Sequence, residues 1–170
     1  MKEIGVYVHI PFCQKKCKYC DFISFENKID YEEKYIESLK KSIKKLKNSE
    51  YEVDTIYFGG GTPSIIKSEY IDSILEIIRS NYKVQKNAEI TIEINPGTVT
   101  EIKLLDYKNA GINRISIGLQ STKNEILKNI GRIHTYEQFL ECYELVKKVG
   151  FDNINIDLML ALPNQTIEDL

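Results

Sequence analysis

The 170-residue chain has no long apolar run and no excess of positive charge. No apolar stretch approaches the roughly 20 residues that a membrane-spanning helix needs, so we expect no membrane span. The net charge of −2 argues against a basic field that would attract nucleic acid, and we expect no nucleic-acid partner. The lysine-rich stretch 40–47 carries isoleucine and leucine at helical spacing, which predicts a solvated helix face. The content of 42% apolar and 28% charged residues is typical of a globular domain.

Cysteine is scarce, and its distribution along the chain is uneven. Three of the four cysteines, Cys13, Cys17 and Cys20, lie within eight residues of one another, whereas Cys142 is far away. A framework of two disulfides would have to pair one of the clustered cysteines with the distant Cys142. We therefore predict free thiols in a reducing compartment and a cytoplasmic location. Cys142 lies on the apolar stripe of a predicted helix, and we interpret it as a small buried hydrophobic residue.

The three clustered cysteines carry the strongest functional information in the sequence. Their spacing is C-x3-C-x2-C, directly after a short apolar strand. Three thiolates are one ligand short of a closed metal site, which suggests a 4Fe–4S cluster with one iron free to bind another group. A closed structural zinc site would need a fourth protein ligand. His9, four residues before Cys13, leaves such a zinc site, in a module of unrelated function, open as an alternative.

Predicted strands and helices alternate from end to end, which is typical of a parallel α/β sheet or barrel. The predicted strands cover residues 5–10, 53–58, 89–94, 114–119 and 153–158. The predicted helical segments cover residues 31–47, 71–78, 100–110, 123–129 and 135–149, and a further turn begins near 167. Since about five βα units follow one another without a closing strand, we expect residues 1–170 to be the N-terminal part of a (β/α) barrel. The rest of the barrel and any substrate domain would lie outside this chain.

Two helix starts and one helix end carry local sequence signals. Asp30 is followed three residues later by Glu33, and Thr135 is followed three residues later by Gln138. This spacing is typical of a capping box, in which the two side chains satisfy free backbone N–H groups. Gly150 predicts the end of the helix that begins at Thr135.

Polar residues and glycines gather at the carboxyl ends of the predicted strands, where parallel α/β folds form their sites. The glycines 59–61 follow the second strand, Glu93 closes the third, Gln120 follows the fourth and Asp157 closes the fifth. The glycines lack the lysine of a phosphate-binding loop, so we interpret them as backbone that a ligand approaches closely, with a tight turn as the alternative. Glu93 would need a cationic or hydroxyl partner inside a barrel. Arg132 suits a carboxylate because two N–H groups of its guanidinium can bind the two carboxylate oxygens together.

Six motifs, in chain order, resemble the radical S-adenosylmethionine superfamily over essentially all 170 residues. The C-x3-C-x2-C motif has an aromatic residue, Tyr19, directly before its last cysteine. More narrowly, the oxygen-independent coproporphyrinogen III oxidase group is similar to this chain at residues 7–13 (YVHIPFC), 58–64 (FGGGTPS), 92–96 (IEINP), 115–121 (ISIGLQS), 131–134 (GRIH) and 157–163 (DLMLALP).

Two departures within this group favour its heme-chaperone (HemW-like) branch. The oxidases carry another cysteine directly after the third cluster ligand, where this sequence has Asp21. They also have a longer stretch before the first strand than the twelve residues that precede Cys13 here. The resemblance therefore implies a protein that binds heme and transfers it to recipient proteins. The alternative is an oxidase that decarboxylates coproporphyrinogen III oxidatively to protoporphyrinogen IX.

The resemblance also implies a role for each matching residue. Cys13, Cys17 and Cys20 would hold a 4Fe–4S cluster that supports reductive cleavage of S-adenosylmethionine. The other implied contacts with that cofactor are the backbone of Gly60, Gly61 and Thr62 for the methionine end and adenosine, Glu93 for the ammonium group, Arg132 for the carboxylate, Gln120 and Asp157 for the ribose hydroxyls, Tyr7 for the sulfonium and the backbone of Tyr19 for adenine. The implied partners are an electron donor, heme or a porphyrinogen, and heme-recipient proteins.

Overall fold

The computed structural model describes residues 2–46 and 50–169. Its strands are β1 (Lys2–Ile10), β2 (Phe12–Cys13), β3 (Phe25–Glu26), β4 (Tyr51–Gly60), β5 (Lys83–Ile94), β6 (Arg114–Gln120) and β7 (Ile154–Leu158). Its helices are α1 (Glu32–Lys45), α2 (Ser68–Asn81), α3 (Glu101–Asn109), α4 (Asn124–Asn129) and α5 (Tyr136–Val149). One sheet contains five parallel strands in the order β1-β4-β5-β6-β7, and β2 pairs with β3. This arrangement confirms the predicted α/β fold, a partial parallel (β/α) barrel.

The two faces of the sheet differ in polarity because successive strand residues point to opposite sides. On the outer face, Ile56, Ile92 and Ile115 are almost completely buried and belong to the main hydrophobic core. On the inner face, Thr91 and Ser116 are buried although their side chains are polar. The outer face therefore supplies the core, and the inner face leaves polar groups available for a site.

Helices α1, α2, α3 and α5 contribute apolar stripes to the core on the outer face of the sheet. In α2 the fully buried side chains recur every three or four residues, as Ile71, Ile74, Leu75 and Ile78. Burial of each such side chain is favourable by roughly 1.5–3 kcal/mol. The prediction for Cys142 is confirmed, because it lies 5% exposed on the buried stripe of α5. No helix within residues 2–46 and 50–169 is long and apolar enough to cross a membrane.

The helix ends agree with one of the two predicted capping boxes. The Thr135 side chain accepts a hydrogen bond from the backbone N–H of Gln138, whose side chain accepts one from the backbone N–H of Thr135. Gly150 ends the same helix with a left-handed φ of 89°. The predicted cap at Asp30 is wrong, because the chain passes through a 3-10 turn at Ile29–Tyr31 and no side chain caps the helix that follows.

Some predicted boundaries shift in the structure. Helix α1 ends at Lys45, so Leu46 falls outside the apolar stripe and is 72% exposed. Residue 47, where the predicted helix ended, lies outside the described residues. Strand β5 begins at Lys83, six residues before its predicted start at position 89, and Lys83 pairs with Glu52 of β4. The sequence did not predict this extension, because the polar residues 85–87 interrupt the apolar pattern of the strand. The pairing with β4 also shifts register between this extension and the apolar part of β5.

Candidate functional site

A cleft of about 460 Å³ lies at the carboxyl ends of the parallel strands. The cysteine loop between β2 and β3 forms one wall, and the rest comes from residues at or just after the ends of β4 to β7 and from residues 131–134, between α4 and α5. Eleven of the twelve residues that the sequence predicted line this cleft: Cys13, Cys17, Tyr19, Cys20, Gly60, Gly61, Thr62, Glu93, Gln120, Arg132 and Asp157. The exception is Tyr7. The fold thus brings together residues that are spread over about 145 positions, in accordance with the strand-end rule.

Backbone hydrogen bonds shape the cysteine loop and hold it against the end of α4. The N–H of Lys18 donates to the carbonyl oxygen of Ile130 at 2.9 Å, and the N–H of Cys20 donates to that of Cys17 at 3.1 Å. Gly131 has a positive φ of 84°, and a Cβ there would lie 3.3 Å from the Lys18 nitrogen. A glycine at this position therefore permits the loop to approach closely.

The three clustered cysteines have free thiols, and Cys13 is buried. In the described part of the chain, no group of three or more His, Cys, Asp or Glu side chains is arranged to hold a metal ion. Sulfurs around a single tetrahedral zinc would lie about 3.8 Å apart, given Zn–S bonds of ~2.3 Å. A 4Fe–4S cluster, in contrast, would bind each cysteine to a different iron, so the three sulfurs need not surround a single ion.

His9, the fourth ligand of the alternative zinc site, is engaged elsewhere. Its Nε2 lies 2.8 Å from the carbonyl oxygen of Ile23, and its Nδ1 lies 3.2 Å from the Tyr7 hydroxyl. His9 is also absent from the lining of the cleft. Since both ring nitrogens have protein partners, the geometry gives no support to a zinc site made of three cysteines and His9.

The glycines at the end of β4 bring its backbone close to β2 and the start of the cysteine loop. The N–H of Gly61 donates to the Ile10 carbonyl oxygen at 2.9 Å, and the N–H of Thr62 donates to that of Phe12 at 2.8 Å. A Cβ at Gly61 would lie 2.7 Å from the Phe12 oxygen and 2.9 Å from the Cys13 sulfur. The close approach at Gly61 is made by protein atoms, and the approach of a ligand to these glycines stays a prediction.

Glu93 has the hydroxyl partner that its position inside the sheet required. The Tyr57 hydroxyl donates to Glu93 Oε1 at 2.8 Å. Burial raises the pKa of Glu93, the Tyr57 hydrogen bond opposes this rise, and the negative charge of Asp157 adds to it. Burial and the neighbouring Glu93 also raise the pKa of Tyr57. Tyr57 was not among the predicted site residues, although this tyrosine stands two residues before Gly59 on the same face of β4.

Arg132 lies between the strand ends and the cysteine loop. Its Nη2 donates to Asn95 Oδ1 at 2.7 Å and to the Gly118 carbonyl oxygen at 2.5 Å, and its Nη1 lies 3.8 Å from the Cys17 sulfur. Asn95 also donates to Thr62 Oγ1 at 3.1 Å. Asn95 and Gly118 were not among the predicted site residues. A Cβ at Gly118 would lie 3.0 Å from Nη2, so this strand glycine marks a close approach.

Asp157 and Gln120 occupy the far side of the cleft. Asp157 accepts hydrogen bonds from Ser116 Oγ at 3.1 Å and from Asn155 Nδ2 at 2.7 Å. Gln120 has a φ of 73°, and its carbonyl oxygen accepts a hydrogen bond from the N–H of Met159 at 3.0 Å. Left-handed backbone at a non-glycine residue costs about 1–3 kcal/mol and is common at functional sites.

Two further cleft residues have strongly shifted pKa values. Burial, followed by the positive charge of Arg132, lowers the pKa of His134 to about 4. Burial also raises the pKa of Tyr19 to about 12. Tyr19 packs against a small apolar cluster that includes Ile130 and Leu162. At neutral pH both side chains are therefore uncharged, and His134 is only 5% exposed.

Tyr7 lies outside the cleft lining and is 58% exposed. It pairs in register with Tyr57 of the neighbouring strand, and the two rings stack with centroids 6.1 Å apart. Tyr57, which does line the cleft, belongs to the strand between Tyr7 and Glu93. The contact of Tyr7 with a sulfonium stays a prediction. In this structure Tyr7 lies one strand away from Tyr57, which lines the cleft.

Comparison with known proteins identifies the family. The model of the radical SAM superfamily matches residues 7–170. The heme chaperone HemW of Buchnera aphidicola subsp. Schizaphis graminum (strain Sg) is 42% identical over 173 residues, which cover 100% of this chain and 46% of that protein. The heme chaperone HemW of Escherichia coli (strain K12) is 39% identical over 174 residues, which cover 99% of this chain and 46% of that protein.

The structural comparison agrees with the sequence comparison. The structure of the coproporphyrinogen III oxidase HemN from Escherichia coli, described as a radical SAM enzyme, aligns with a TM-score of 0.89 and 29% identity, over 99% of this chain and 39% of that one. The chain spans about half the length of the curated relatives that it matches. The family match over residues 7–170 confirms the resemblance that the motifs predicted. The chain therefore belongs to the radical S-adenosylmethionine superfamily.

Proposed function

We propose that this chain is the cluster- and S-adenosylmethionine-binding part of a heme chaperone, and that residues 1–170 are the N-terminal portion of its barrel. Membership of the superfamily implies a 4Fe–4S cluster and the use of S-adenosylmethionine. The observation that carries the proposal is one cleft, in which the three-cysteine loop faces complementary polar groups from the ends of β4 to β7 and from Arg132.

The donor set of the cysteine loop fits a 4Fe–4S cluster. Three free thiols can bind three irons, and the fourth iron then remains open to a further ligand. The missing side chain of Gly61 leaves space beside the Cys13 sulfur, where a Cβ would lie only 2.9 Å away. Thr62 Oγ1 lies 3.7 Å from the same sulfur and can hydrogen-bond a thiolate.

The rest of the cleft fits the functional groups of S-adenosylmethionine. Glu93 suits the ammonium group, because an approaching cation stabilises the carboxylate that the Tyr57 hydroxyl already supports. Arg132 suits the carboxylate, because its buried Nε has no hydrogen-bond partner among the described residues. Gln120 and Asp157 offer hydrogen-bonding groups for hydroxyls on the far side. A volume of about 460 Å³ lies within the usual range of small-molecule sites.

With both groups bound, the reduced cluster would supply one electron for reductive cleavage of the sulfonium of S-adenosylmethionine. This chain's own residues bind and orient these groups. Arg132 and Glu93 would act as charged contacts for the carboxylate and the ammonium group, and the half-buried, uncharged Tyr19 lines the cleft near Cys17. The free thiols further support a reducing, cytoplasmic compartment.

The heme chaperone is favoured over the oxidase by the relatives and by one residue of the cysteine loop. Both relatives compared by sequence are named heme chaperone HemW. An exposed carboxylate, Asp21, follows Cys20 where the oxidases have a further cysteine. The second candidate, an oxygen-independent coproporphyrinogen III oxidase, is favoured by the similarity to HemN. In either case we propose an external electron donor, and the chaperone would in addition carry heme to recipient proteins.

The cluster is tested first, with a matched pair of cysteine variants. The full-length protein is reconstituted anaerobically with iron and sulfide, and bound iron and acid-labile sulfide are measured. Cys17→Ala should abolish the 4Fe–4S signal, whereas Cys142→Ala should retain it, because Cys142 is buried in α5 away from the cleft. A normal 4Fe–4S signal in Cys17→Ala would rule out the assigned ligands.

The choice between chaperone and oxidase needs a second experiment. The reconstituted, reduced protein is incubated with S-adenosylmethionine and coproporphyrinogen III, and both 5′-deoxyadenosine and protoporphyrinogen are measured. We expect 5′-deoxyadenosine without protoporphyrinogen, and saturable heme binding in a separate spectroscopic titration. Decarboxylated product would establish the oxidase instead, and an absence of heme binding would contradict the chaperone.

A further inference from the structure

The guanidinium of Arg132 contacts a cluster cysteine as well as the strand ends. Nη1 donates to the Cys17 sulfur at 3.8 Å, within the longer range of N–H···S hydrogen bonds. Nη2 is fixed by two acceptors, Asn95 Oδ1 at 2.7 Å and the Gly118 carbonyl oxygen at 2.5 Å. Since both acceptors lie at the carboxyl end of the sheet, the planar fork of the guanidinium holds Nη1 toward the sulfur.

The surroundings of Arg132 make its charge effective inside the cleft. Its Nε atom is buried, and the nearby His134 is kept uncharged partly by the Arg132 charge. Lys15, the other cationic residue of the cleft lining, has an exposed side chain that water screens more strongly. Arg132 is therefore the cation best placed to act on the sulfur of Cys17.

We propose that Arg132 raises the reduction potential of the cluster by donating an N–H group to the Cys17 sulfur. This inference rests on the proposed cluster at Cys13, Cys17 and Cys20. Reduction adds one electron from an external reductant to the cluster; no bond forms or breaks, and no proton is transferred. The added negative charge is shared with the thiolate sulfurs, so a cationic hydrogen-bond donor stabilises the reduced state more than the oxidised state. This role is separate from the contact of Arg132 with the cofactor carboxylate.

The effect of Arg132 on the cluster can be measured without S-adenosylmethionine, which separates it from the contact with the cofactor. The full-length protein is reconstituted anaerobically, and the midpoint potential of the cluster is measured by redox titration followed by electron paramagnetic resonance, without S-adenosylmethionine. Arg132→Met should shift the potential to a more negative value. Arg132→Lys should give a smaller shift in the same direction, because one ammonium group cannot replace the whole fork. The control is Arg79→Met, which removes a positive charge from an exposed position in α2 and should leave the potential unchanged.

Iron and sulfide contents measured before each titration distinguish the possible failures. A wild-type protein that assembles no 4Fe–4S cluster would overturn the proposed function. Loaded Arg132 variants with the wild-type potential would overturn only the present inference, and Arg132 would then act on the bound cofactor alone. If Arg132→Met assembles no cluster, the midpoint potential of Arg132→Lys is compared with that of the wild type, and an unchanged potential again overturns the inference. Failure of both variants to load would also overturn the inference, because it would indicate a structural role for Arg132.

Discussion

Gly61→Ala should disturb the cysteine loop without changing any proposed ligand. The new Cβ would lie 2.7 Å from the Phe12 carbonyl oxygen and 2.9 Å from the Cys13 sulfur. The first of these contacts is with backbone, so rotation of a side chain cannot relieve it. The backbone of β2 is fixed in addition by the hydrogen bond from the N–H of Thr62 to the Phe12 oxygen.

The size of the effect follows from the distances. Ordinary contact begins at 3.4 Å, so the segment of Phe12 and Cys13 must move by about 0.7 Å. Overpacking of this kind costs about 1–3 kcal/mol of unfolding free energy. A displacement of that size at Cys13 moves one of the three cluster ligands, so we expect the cluster content to fall well below that of the wild type.

The assay combines urea unfolding with the measurement of bound iron and sulfide after anaerobic reconstitution. Gly97→Ala is a suitable control, because a Cβ there meets no heavy atom within 4 Å but the residue has a left-handed φ of 82°. Left-handed backbone costs an alanine about 1–2 kcal/mol, so the control loses a similar amount of stability without a steric contact near Cys13. Full cluster content in Gly61→Ala at wild-type stability would refute the reasoning.

Three further predictions concern ionisation and helix capping. Tyr57→Phe should raise the pKa of Glu93 further, because it removes the hydrogen bond that stabilises the carboxylate. In calorimetric titrations, the acid limit of S-adenosylmethionine binding should therefore move to higher pH. An unchanged pH profile would contradict this. Because the pKa of His134 is about 4 in the folded state and 6.5 ordinarily, the folded state binds fewer protons below pH 6.5, and the unfolding free energy should fall by roughly 3 kcal/mol between pH 6.5 and 4. In urea unfolding, His134→Leu should flatten this dependence, and an unaltered slope would exclude His134 as its source. Thr135→Ala should lower the unfolding free energy by about 1 kcal/mol, because the N–H of Gln138 loses its acceptor, whereas Ser38→Ala on an exposed helix face should have little effect.

The periodicity of the sequence was sufficient to predict the fold. The outer-face residues of the strands are large and aliphatic, and the helices have apolar residues every three or four positions. These two patterns determine the element types and their order. Local capping was less predictable: the Thr135 box formed, but the Asp30 box did not, because a 3-10 turn displaced the helix start to Glu32. Such a turn depends on contacts of the incoming chain that the local spacing does not reveal.

The candidate site was predictable where a residue stands at a strand end and carries unusual chemistry. Tyr57 was missed because a tyrosine among apolar strand residues is usually part of the core, and only the pairing of strands shows that it reaches Glu93. Asn95 was missed because an asparagine before a proline is typical of a turn. Gly118 offered a detectable signal, since a glycine within a strand often marks a close approach, here that of Arg132.

The position of the cysteine loop depends on the sheet more than the sheet depends on the loop. Phe22 and Ile23 in this loop, and Phe25 in the following β3, are each more than half exposed, so the loop contributes little to the main core. Its attachments include the short β2–β3 pair, backbone hydrogen bonds near Thr62 and Ile130, and side-chain contacts from His9 and Arg132. A change of a cysteine should therefore remove the cluster and leave the sheet folded. A change that moves the end of β4 should reduce cluster binding even when every cysteine is present, because the sheet determines where the loop places its thiols.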